Sequence, residues 1–307
     1  MSKYEANIDL KNQNNVFTLI YNRVKENSLV LDIGCAAGYF DKVLRERKNC
    51  KIVGIEIDTE DAKKAKGYCE LVLNEDIEGK NWENKLACYK FDHVIFADVL
   101  EHLRNPGDVL IRMKRFLADT GSILISIPNI AHVSVRLELL SGKFIPEKIG
   151  ILDDTHLKYF TKKSFSDLVR SSGYKVKWLS QSSFDFPEVM IKKFLDELGI
   201  KPGKKLITAF SSPDSIAHQY ILEIVPNDKP TVVDREEEKP IYVVREFLRS
   251  IEEDHARFKR DEIRYRKSLE VENENLRREL EKAKKPFFYR IENKVKYLMR
   301  KIVRKNT

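Results

Sequence analysis

Short apolar runs alternate with helical patterns over residues 1–226. The first run, SLVLDIG (28–34), is almost continuously apolar, which is typical of a central strand that is buried on both faces of a parallel sheet. Strands that alternate with helices predict a mostly parallel sheet with helices on both faces. The pattern places seven strands, at residues 29–33, 52–57, 71–73, 93–97, 122–127, 175–179 and 219–225.

The pattern changes after residue 226. Residues 227–240 are rich in proline and charge and have no periodicity, which indicates a linker. Residues 241–284 contain no Gly or Pro, and the spacing of three and four predicts a coiled coil that would make the chain a homo-oligomer, although Glu262 and Glu272 interrupt the seam. The alternative is a single solvated helix. The seam is formed by Leu248, Ile251, His255, Phe258, Glu262, Tyr265, Leu269, Glu272 and Leu276.

The charge of the chain is concentrated at its end. The formal net charge is +8, and residues 284–307 hold nine Lys or Arg and one Glu, so that the rest is neutral overall. The tail, residues 285–307, is predicted to form a basic amphipathic helix that binds an anionic membrane surface. The alternatives are a helix that binds a protein partner and an inert tail. The apolar side is formed by Phe288, Ile291, Val295, Leu298 and Ile302.

Composition excludes several classes of protein. No apolar run reaches the roughly 18 residues that a spanning helix needs. The N-terminus lacks the pattern of a secretory signal, and the four cysteines form no CxxC pair. The sequence therefore predicts a cytoplasmic protein that is peripheral at the inner membrane surface. A neutral body also disfavours a nucleic-acid partner, because an RNA groove should be basic near the active site.

The strongest chemical signal follows the first strand. The strand ends in Asp32, and a tight turn with Gly34 and Gly38 leads into a helix. A dinucleotide fingerprint needs glycine at 34, 36 and 39, and this chain has Ala36 and Tyr39 instead. An acid in front of the turn would repel phosphate but suits a cationic amino-acid moiety.

Two further acids follow the next strands. Glu56 ends the second strand, 18 residues after Gly38, where a carboxylate can accept both hydroxyls of a ribose. Asp76 lies just past the third strand, where it could accept the amino group of adenine. Together with Asp32, these acids predict a nucleoside site at one edge of the sheet.

The motifs VLDIGCAAG, GIEID, Asp76-Ile77, FDHVIFADVLEHL and GSILISIPN resemble the successive motifs of class I S-adenosylmethionine-dependent methyltransferases, over about residues 14–226. The resemblance implies a Rossmann-like α/β fold and S-adenosylmethionine as cofactor. One departure is Ala36, where the family usually has glycine. The cofactor contacts that the resemblance implies are Asp32, Gly34, Cys35, Gly38, Glu56, Asp76, Ile77 and, through its backbone, Ala97.

The second half of this region is similar to bacterial methyltransferases of the ubiquinone-methylase type, and most to members associated with surface-glycan and lipopolysaccharide assembly. The segments that carry this are IPNIAHVSVRLELLSGKF and GILDDTHLKYFTKKSF. The resemblance implies methylation of a sugar or a similar polar acceptor, and the function that we predict is O-methylation of a sugar of a glycan or a lipid-linked saccharide. The alternatives are an RNA 2′-O-methyltransferase and a methyltransferase-fold scaffold without activity.

A sugar hydroxyl is a weak nucleophile, so a base or a metal should assist it. Asp98, Glu101 and His102 could hold a divalent metal such as Mg²⁺, and they resemble the ExxEH motif of ubiquinone-pathway O-methyltransferases; a structural role is the alternative. Asp154 and His156 lie on a loop before a helix that begins at Thr161, and His156 could be the base. The alternative is that Asp154 and Thr155 only cap and brace the loop, while His156 is a buried, hydrogen-bonded histidine. The predicted catalytic residues are thus His156, Asp154 and His102.

Overall fold

The computed structural model describes residues 8–184, 186–227, 259–260, 262–282 and 293. The chain divides into two units, and the boundary falls after Asp234. The linker at 227–240 beyond its first residue, the first part of the coiled coil and all of the tail but one residue lie outside the described residues.

The first unit contains one sheet of seven strands, as the apolar runs predict. The strands are β1 (Leu29–Ile33), β2 (Lys51–Glu56), β3 (Leu71–Asn74), β4 (Phe91–Ala97), β5 (Leu117–Pro128), β6 (Tyr174–Ser183) and β7 (Ala217–Pro226). Their order is β3-β2-β1-β4-β5-β7-β6, and β7 runs antiparallel to both of its neighbours. The parallel neighbours β3, β2, β1, β4 and β5 end at one edge, which is where ligands bind in open α/β sheets.

Helices cover both faces of the sheet. The helices are α1 (Val16–Tyr21), α2 (Tyr39–Lys48), α3 (Thr59–Ala65), α4 (Asn81–Lys85), α5 (Pro106–Met113), α6 (Val133–Leu140), α7 (Lys162–Ser171), α8 (Glu188–Glu197), α9 (Lys204–Phe210) and α10 (Pro213–Ile216). The Thr161 hydroxyl accepts from the Ser164 N–H, and the Ser164 hydroxyl accepts from the Thr161 N–H, so that a capping box starts α7 at the predicted residue.

Alternation along each strand separates two apolar cores. On β1, the side chains of Leu31 and Ile33 join one core, while Val30 joins the other, beside α2 and α3. Asp32 shares the face of Val30, which places its carboxylate under α2. The sheet is therefore buried on both faces, and this fixes its register because a slip of one residue would exchange the two faces. The Rossmann-like methyltransferase fold is confirmed.

The second unit is described only in part. Residues 262–282 are helical, and the side chains of Tyr265, Leu269 and Leu276 on the predicted heptad seam are exposed. Among the described residues, no helix combines the length and the apolar character needed to cross a membrane.

Candidate functional site

The loop between β1 and α2 requires glycine at two positions. Gly34 and Gly38 have φ angles of 71° and 79°, in the left-handed region that side chains other than glycine rarely adopt. A Cβ at Gly34 would lie 2.7 Å from Val99, and one at Gly38 would lie 3.0 Å from the Ala65 backbone. The loop therefore presents bare backbone at the carboxyl edge of the sheet, which leaves room for the close approach of a ligand.

Ala36 occupies the third position of this loop with a φ angle of 46°. Its N–H donates to Glu56 Oε2 at 2.8 Å, and this bond holds the strained residue in place. A left-handed conformation costs a residue with a Cβ roughly 1–2 kcal/mol. The strain gives a physical reason why glycine would suit this position better than alanine.

Substituting Ala36→Gly is expected to raise the free energy of unfolding by about 0.5–1 kcal/mol, because relief of the left-handed strain exceeds the added flexibility of the unfolded chain. Urea unfolding followed by circular dichroism measures the change. Gly142→Ala, at a φ of 74° with open space around it, is the matched reverse substitution and should destabilise. A destabilised Ala36→Gly variant would contradict the strain argument.

Glu56 braces the loop as well as facing the site. Its Oε2 accepts from Ala36 and its Oε1 accepts from the Asp58 N–H, each at 2.8 Å. Every carboxylate oxygen has two acceptor positions, so the group can still accept a ribose hydroxyl. The sequence predicted the ligand role and missed the structural one.

The other predicted cofactor residues occupy the same edge. Asp76 is exposed, and its Oδ1 accepts from the Glu78 N–H at 2.8 Å. Ile77 is buried beside it, and its carbonyl accepts from Trp82 Nε1 at 3.0 Å. The side chain of Cys35 points into the core over Gly54, so only its backbone is available to a ligand. Ala97 ends β4 and is half-buried. Bare backbone flanked by acids fits an adenosyl amino acid, a ligand with hydroxyls and a cationic group.

Asp98 does not join the metal candidates that the sequence proposed. Its φ is 54°, and this turn directs its carboxylate towards β5 and β7. Oδ1 accepts from the Ser126 hydroxyl at 2.7 Å, and Oδ2 accepts from Gln219 Nε2 at 2.7 Å. Asp98 therefore fixes the loop after β4, and its role as a metal ligand stays a prediction that these contacts do not favour.

His156 takes the place of Asp98 in the cluster. One ligand atom each from Glu101, His102 and His156 lie within 4.8 Å of one another. The loop that carries His156 is pinned here, because the Leu157 and Lys158 N–H groups both donate to the Glu101 carbonyl at 2.9 Å. The candidate catalytic residues His102 and His156 are thus neighbours, with ring centroids 4.7 Å apart.

Hydrogen bonds determine which nitrogen of each imidazole ring carries the proton when the ring is neutral. His156 Nδ1 lies 3.1 Å from the Ile151 carbonyl, and His102 Nδ1 lies 3.2 Å from the Thr155 carbonyl. A carbonyl only accepts, so both Nδ1 atoms carry a proton, and in the neutral ring Nε2 is then the nitrogen with the lone pair. His156 Nε2 faces Glu101 Oε1 at 3.9 Å. Three acceptors consequently converge with no donor between them.

Burial sets the charge of this cluster. Glu101 is 1 % exposed, and neither of its carboxylate oxygens has a hydrogen-bond partner among the described residues. Burial, followed by the charge of Asp98, raises the pKa of Glu101 well above its usual range, and burial lowers the pKa of His156. The cluster therefore favours a proton or a cation between its acceptors.

Asp154 is not part of the cluster. It pairs with Lys148 at the surface. The preceding residue, Asp153, is buried, and its Oδ1 accepts from the Thr155 N–H at 2.9 Å and from the Thr155 hydroxyl. The acid that organises the loop is thus Asp153, one residue before Asp154, and a catalytic role of Asp154 stays a prediction that its surface ion pair does not favour. Asp153 and Asp154 are adjacent in the sequence, and no periodicity at this point distinguishes the buried residue from the exposed one.

Comparisons with known proteins agree with this geometry. The family described as "Methyltransferase domain" matches residues 12–177. A mitochondrial ubiquinone biosynthesis O-methyltransferase of Dictyostelium discoideum is 27% identical over 128 residues, which are 38% of this chain and 40% of the relative. A ubiquinone biosynthesis O-methyltransferase of Actinobacillus pleuropneumoniae serotype 5b is 27% identical over 142 residues, 43% of this chain and 60% of the relative. The chain therefore spans less than two thirds of these relatives.

Solved structures of similar fold include two S-adenosylmethionine-dependent methyltransferases. One, from Archaeoglobus fulgidus, is 16% identical with a TM-score of 0.43, and the match covers 68% of this chain and 93% of that one. The other, from Thermotoga maritima, is 17% identical with a TM-score of 0.47, and covers 70% and 90%.

Proposed function

The chain belongs to the methyltransferase domain family and uses S-adenosylmethionine, and we propose that it O-methylates a sugar hydroxyl of a glycan or a lipid-linked saccharide. One observation carries the proposal of a weakly nucleophilic acceptor. The lone pairs of Glu101, His102 and His156 converge beside the edge of the sheet where the cofactor loop lies. A phenol or an amine needs little more than positioning, whereas a sugar hydroxyl needs a group that takes its proton.

The cofactor supplies an activated methyl group on a sulfonium. Glu56 and Asp32 would hold the ribose and the amino-acid moiety, and the glycines of the loop let the backbone approach them. His156 would accept the proton of the acceptor hydroxyl at Nε2, since its Nδ1–H is held by the Ile151 carbonyl. The ionised form of Glu101, 3.9 Å away, would stabilise the positive charge that the ring gains, and that charge would in turn favour the ionised form that burial disfavours. The loop over residues 151–158 thus fixes the tautomer as well as the position of the base.

A divalent cation is the second candidate for the same cluster. Mg²⁺ prefers oxygen ligands, so a site with imidazole nitrogens suits it less well than an all-oxygen site. Two imidazoles with lone pairs and one carboxylate are nevertheless an acceptable set of ligands for Mg²⁺ or Mn²⁺. The ligands would be Glu101, His102 and His156, because their ligand atoms lie within 4.8 Å of one another, whereas the carboxylate of Asp98 is directed to Ser126 and Gln219.

Calorimetry on chelator-treated protein tests the metal. If the cluster holds a cation, titration with MnCl₂ should give one site, Glu101→Gln should abolish the heat, and the exposed carboxylate variant Glu147→Gln should retain it. A wild-type protein that shows no heat with MnCl₂ or MgCl₂, yet transfers methyl groups, would assign the cluster to proton transfer alone.

The C-terminal segment, residues 241–307, supplies the proposed location. The cations and apolar positions of residues 285–307 support binding to an anionic membrane surface, and the heptad pattern supports self-association through residues 241–284. Several tails on one oligomer would bind a surface more tightly than one tail. A lipid-linked acceptor would be found at that same surface, next to the cytoplasm.

A transfer assay tests the proposed acceptor against its alternatives. The protein is incubated with labelled S-adenosylmethionine and separate lipid, glycan and RNA fractions, and a quinol extract is added because of the names of the relatives. Label in the glycan or lipid-saccharide fraction supports the proposal, and label in RNA supports the 2′-O-methyltransferase instead. If calorimetry detects no binding of the cofactor, the result would support the third alternative, a methyltransferase-fold scaffold without activity.

A further inference from the structure

Four rings form a row that leads from the protein surface to the proposed base. Phe144 contacts Tyr159 with ring centroids 5.7 Å apart, and Tyr159 contacts His156 at 6.2 Å. His156 in turn contacts His102 at 4.7 Å, and all three contacts are edge-to-face. The mechanism above uses the two imidazoles at the inner end of the row and does not use the two outer rings.

The two outer rings are open to solvent, whereas the inner end of the row is not. Phe144 is 45 % exposed and Tyr159 is 39 % exposed, while the side chain of His156 is 5 % exposed. An aromatic ring left in water forgoes the gain from its burial. Exposed apolar surface directly beside a site therefore indicates that a ligand covers it when the site is filled.

The backbone holds the outer rings at a fixed place relative to the base. The Glu147 N–H donates to the Leu152 carbonyl, and the Asp154 N–H donates to the Glu147 carbonyl, each at 2.8 Å. These two bonds close the loop between Phe144 and His156. The exposed rings and the base thus belong to one braced loop, and such bracing is what a binding surface needs to position its ligand.

The exposed pair, Phe144 and Tyr159, is called the aromatic platform here, and its chemistry suits the apolar face of a sugar. The hydroxyls of a pyranose project from its rim, and its axial C–H groups leave a face that is apolar and slightly positive. The face of an aromatic ring is negative, so C–H groups stack on it favourably. A sugar ring on the platform can also turn a hydroxyl of its rim towards the neighbouring imidazole.

We propose that the aromatic platform is the acceptor subsite, on which the sugar ring stacks so that one of its hydroxyls reaches His156 Nε2. The platform and the base are adjacent in the row, so a single sugar ring can contact both. The proposal rests on the proposed function, of which it names the acceptor subsite. A phenolic ring is the other flat ligand that aromatic rings stack, so the experiment includes one.

Saturation-transfer NMR on the full-length protein measures binding to the platform without turnover. The probes are the methyl pyranosides of glucose, galactose and mannose, 4-methylphenol, and S-adenosylhomocysteine. Saturation should reach the axial C–H protons of at least one pyranoside. Tyr159→Leu and Phe144→Leu each remove a ring but keep an apolar side chain, and each should lower this transfer by about threefold or more. The signal of S-adenosylhomocysteine should stay unchanged, which shows that the variants are folded.

Two further variants control for the substitutions. Tyr159→Phe keeps the ring, so its pyranoside signal should stay within about twofold of the wild type. Phe184→Leu removes another exposed aromatic ring, directly after β6 and outside the row, and should change neither signal.

Kinetics with the lipid-saccharide fraction give a second readout. Tyr159→Leu should raise KM by about 10-fold and leave kcat within about threefold, because stacking stabilises the bound acceptor and the transition state alike. Loss of a base would instead lower kcat, so the two roles are separable by the same assay.

A pyranoside signal that survives both leucine substitutions would overturn the proposal, and so would a wild type that binds the phenol and no pyranoside. A wild type that methylates RNA and not the lipid-saccharide fraction would contradict the proposed function instead, and the pyranoside spectra would decide the platform separately.

Discussion

Replacing His156 with alanine is expected to lower kcat by about 10²- to 10⁴-fold, the usual contribution of a general base. The ring is held by the Ile151 carbonyl and faces Glu101, on the acceptor side of the site. The dissociation constant of S-adenosylhomocysteine should stay within about twofold, because no cofactor contact is assigned to this residue. Steady-state kinetics and calorimetry on the same preparation measure both quantities.

Two further variants sharpen the test of His156. His156→Asn keeps a donor for the Ile151 carbonyl but has no basic nitrogen, so it should be as slow as His156→Ala if the ring is a base. His218→Ala removes the histidine of β7, which contacts His132 rather than the cluster, and should leave kcat unchanged. A His156→Asn variant of near wild-type activity would show that the residue only braces its loop.

Glu56→Ala should weaken cofactor binding by about 10- to 100-fold and lower the free energy of unfolding by about 2–4 kcal/mol. The change removes the acceptor of the Ala36 and Asp58 N–H groups at the same time as the ribose contact. Glu56→Gln keeps one neutral acceptor, so its cofactor affinity and its stability should lie between those of the wild type and of Glu56→Ala. Calorimetry with S-adenosylhomocysteine and urea unfolding measure the two effects.

The control for Glu56 is Glu60→Gln, which changes an exposed acid of α3 that pairs with Lys63. It should alter neither the affinity nor, by more than about 0.5 kcal/mol, the stability. An unchanged dissociation constant for Glu56→Ala would refute the ribose assignment, even if the protein is destabilised as expected.

The sheet could be predicted because its strands are buried on both faces. An almost continuous apolar run such as residues 29–33 indicates a buried strand of a parallel sheet. Because the strands are parallel, the acids that follow successive strands lie at the same edge of the sheet. The bounds were less accurate where polar residues enter a strand. β5 begins at Leu117, five residues before its predicted start, because the polar and exposed residues Asp119 and Thr120 interrupt the apolar pattern at the beginning of the strand.

The site could be predicted only to the level of its loops. Asp98 and Asp154 were chosen for their residue type and their position in the sequence. Neither belongs to the cluster that Glu101, His102 and His156 form. Asp98 has a left-handed φ that directs it to Ser126, and Asp154 points to Lys148, while His156 reaches Glu101. Such directions depend on loop geometry and on partners distant in the chain, which periodicity does not encode.

Asp41 was missed although the sequence contains a signal for it. An acid three residues before Leu44 and directly after Phe40 lies on the buried side of an amphipathic helix, where a polar residue breaks the pattern. A charged residue on an apolar face is the kind of local conflict that occurs at functional sites. Its hydrogen-bond donor, the Cys69 thiol, is 28 positions away and on another part of the chain, so this contact required the structure.

The most direct test of the account is the identity of the methylated atom. The protein is incubated with S-adenosylmethionine carrying a ¹³C-methyl group and with the lipid-saccharide fraction, and the product is analysed by NMR and mass spectrometry. The account predicts a labelled O-methyl ether on a sugar ring, formed by the wild type and not by His156→Ala. A label on an RNA ribose, on nitrogen, or on no acceptor of any fraction would contradict it.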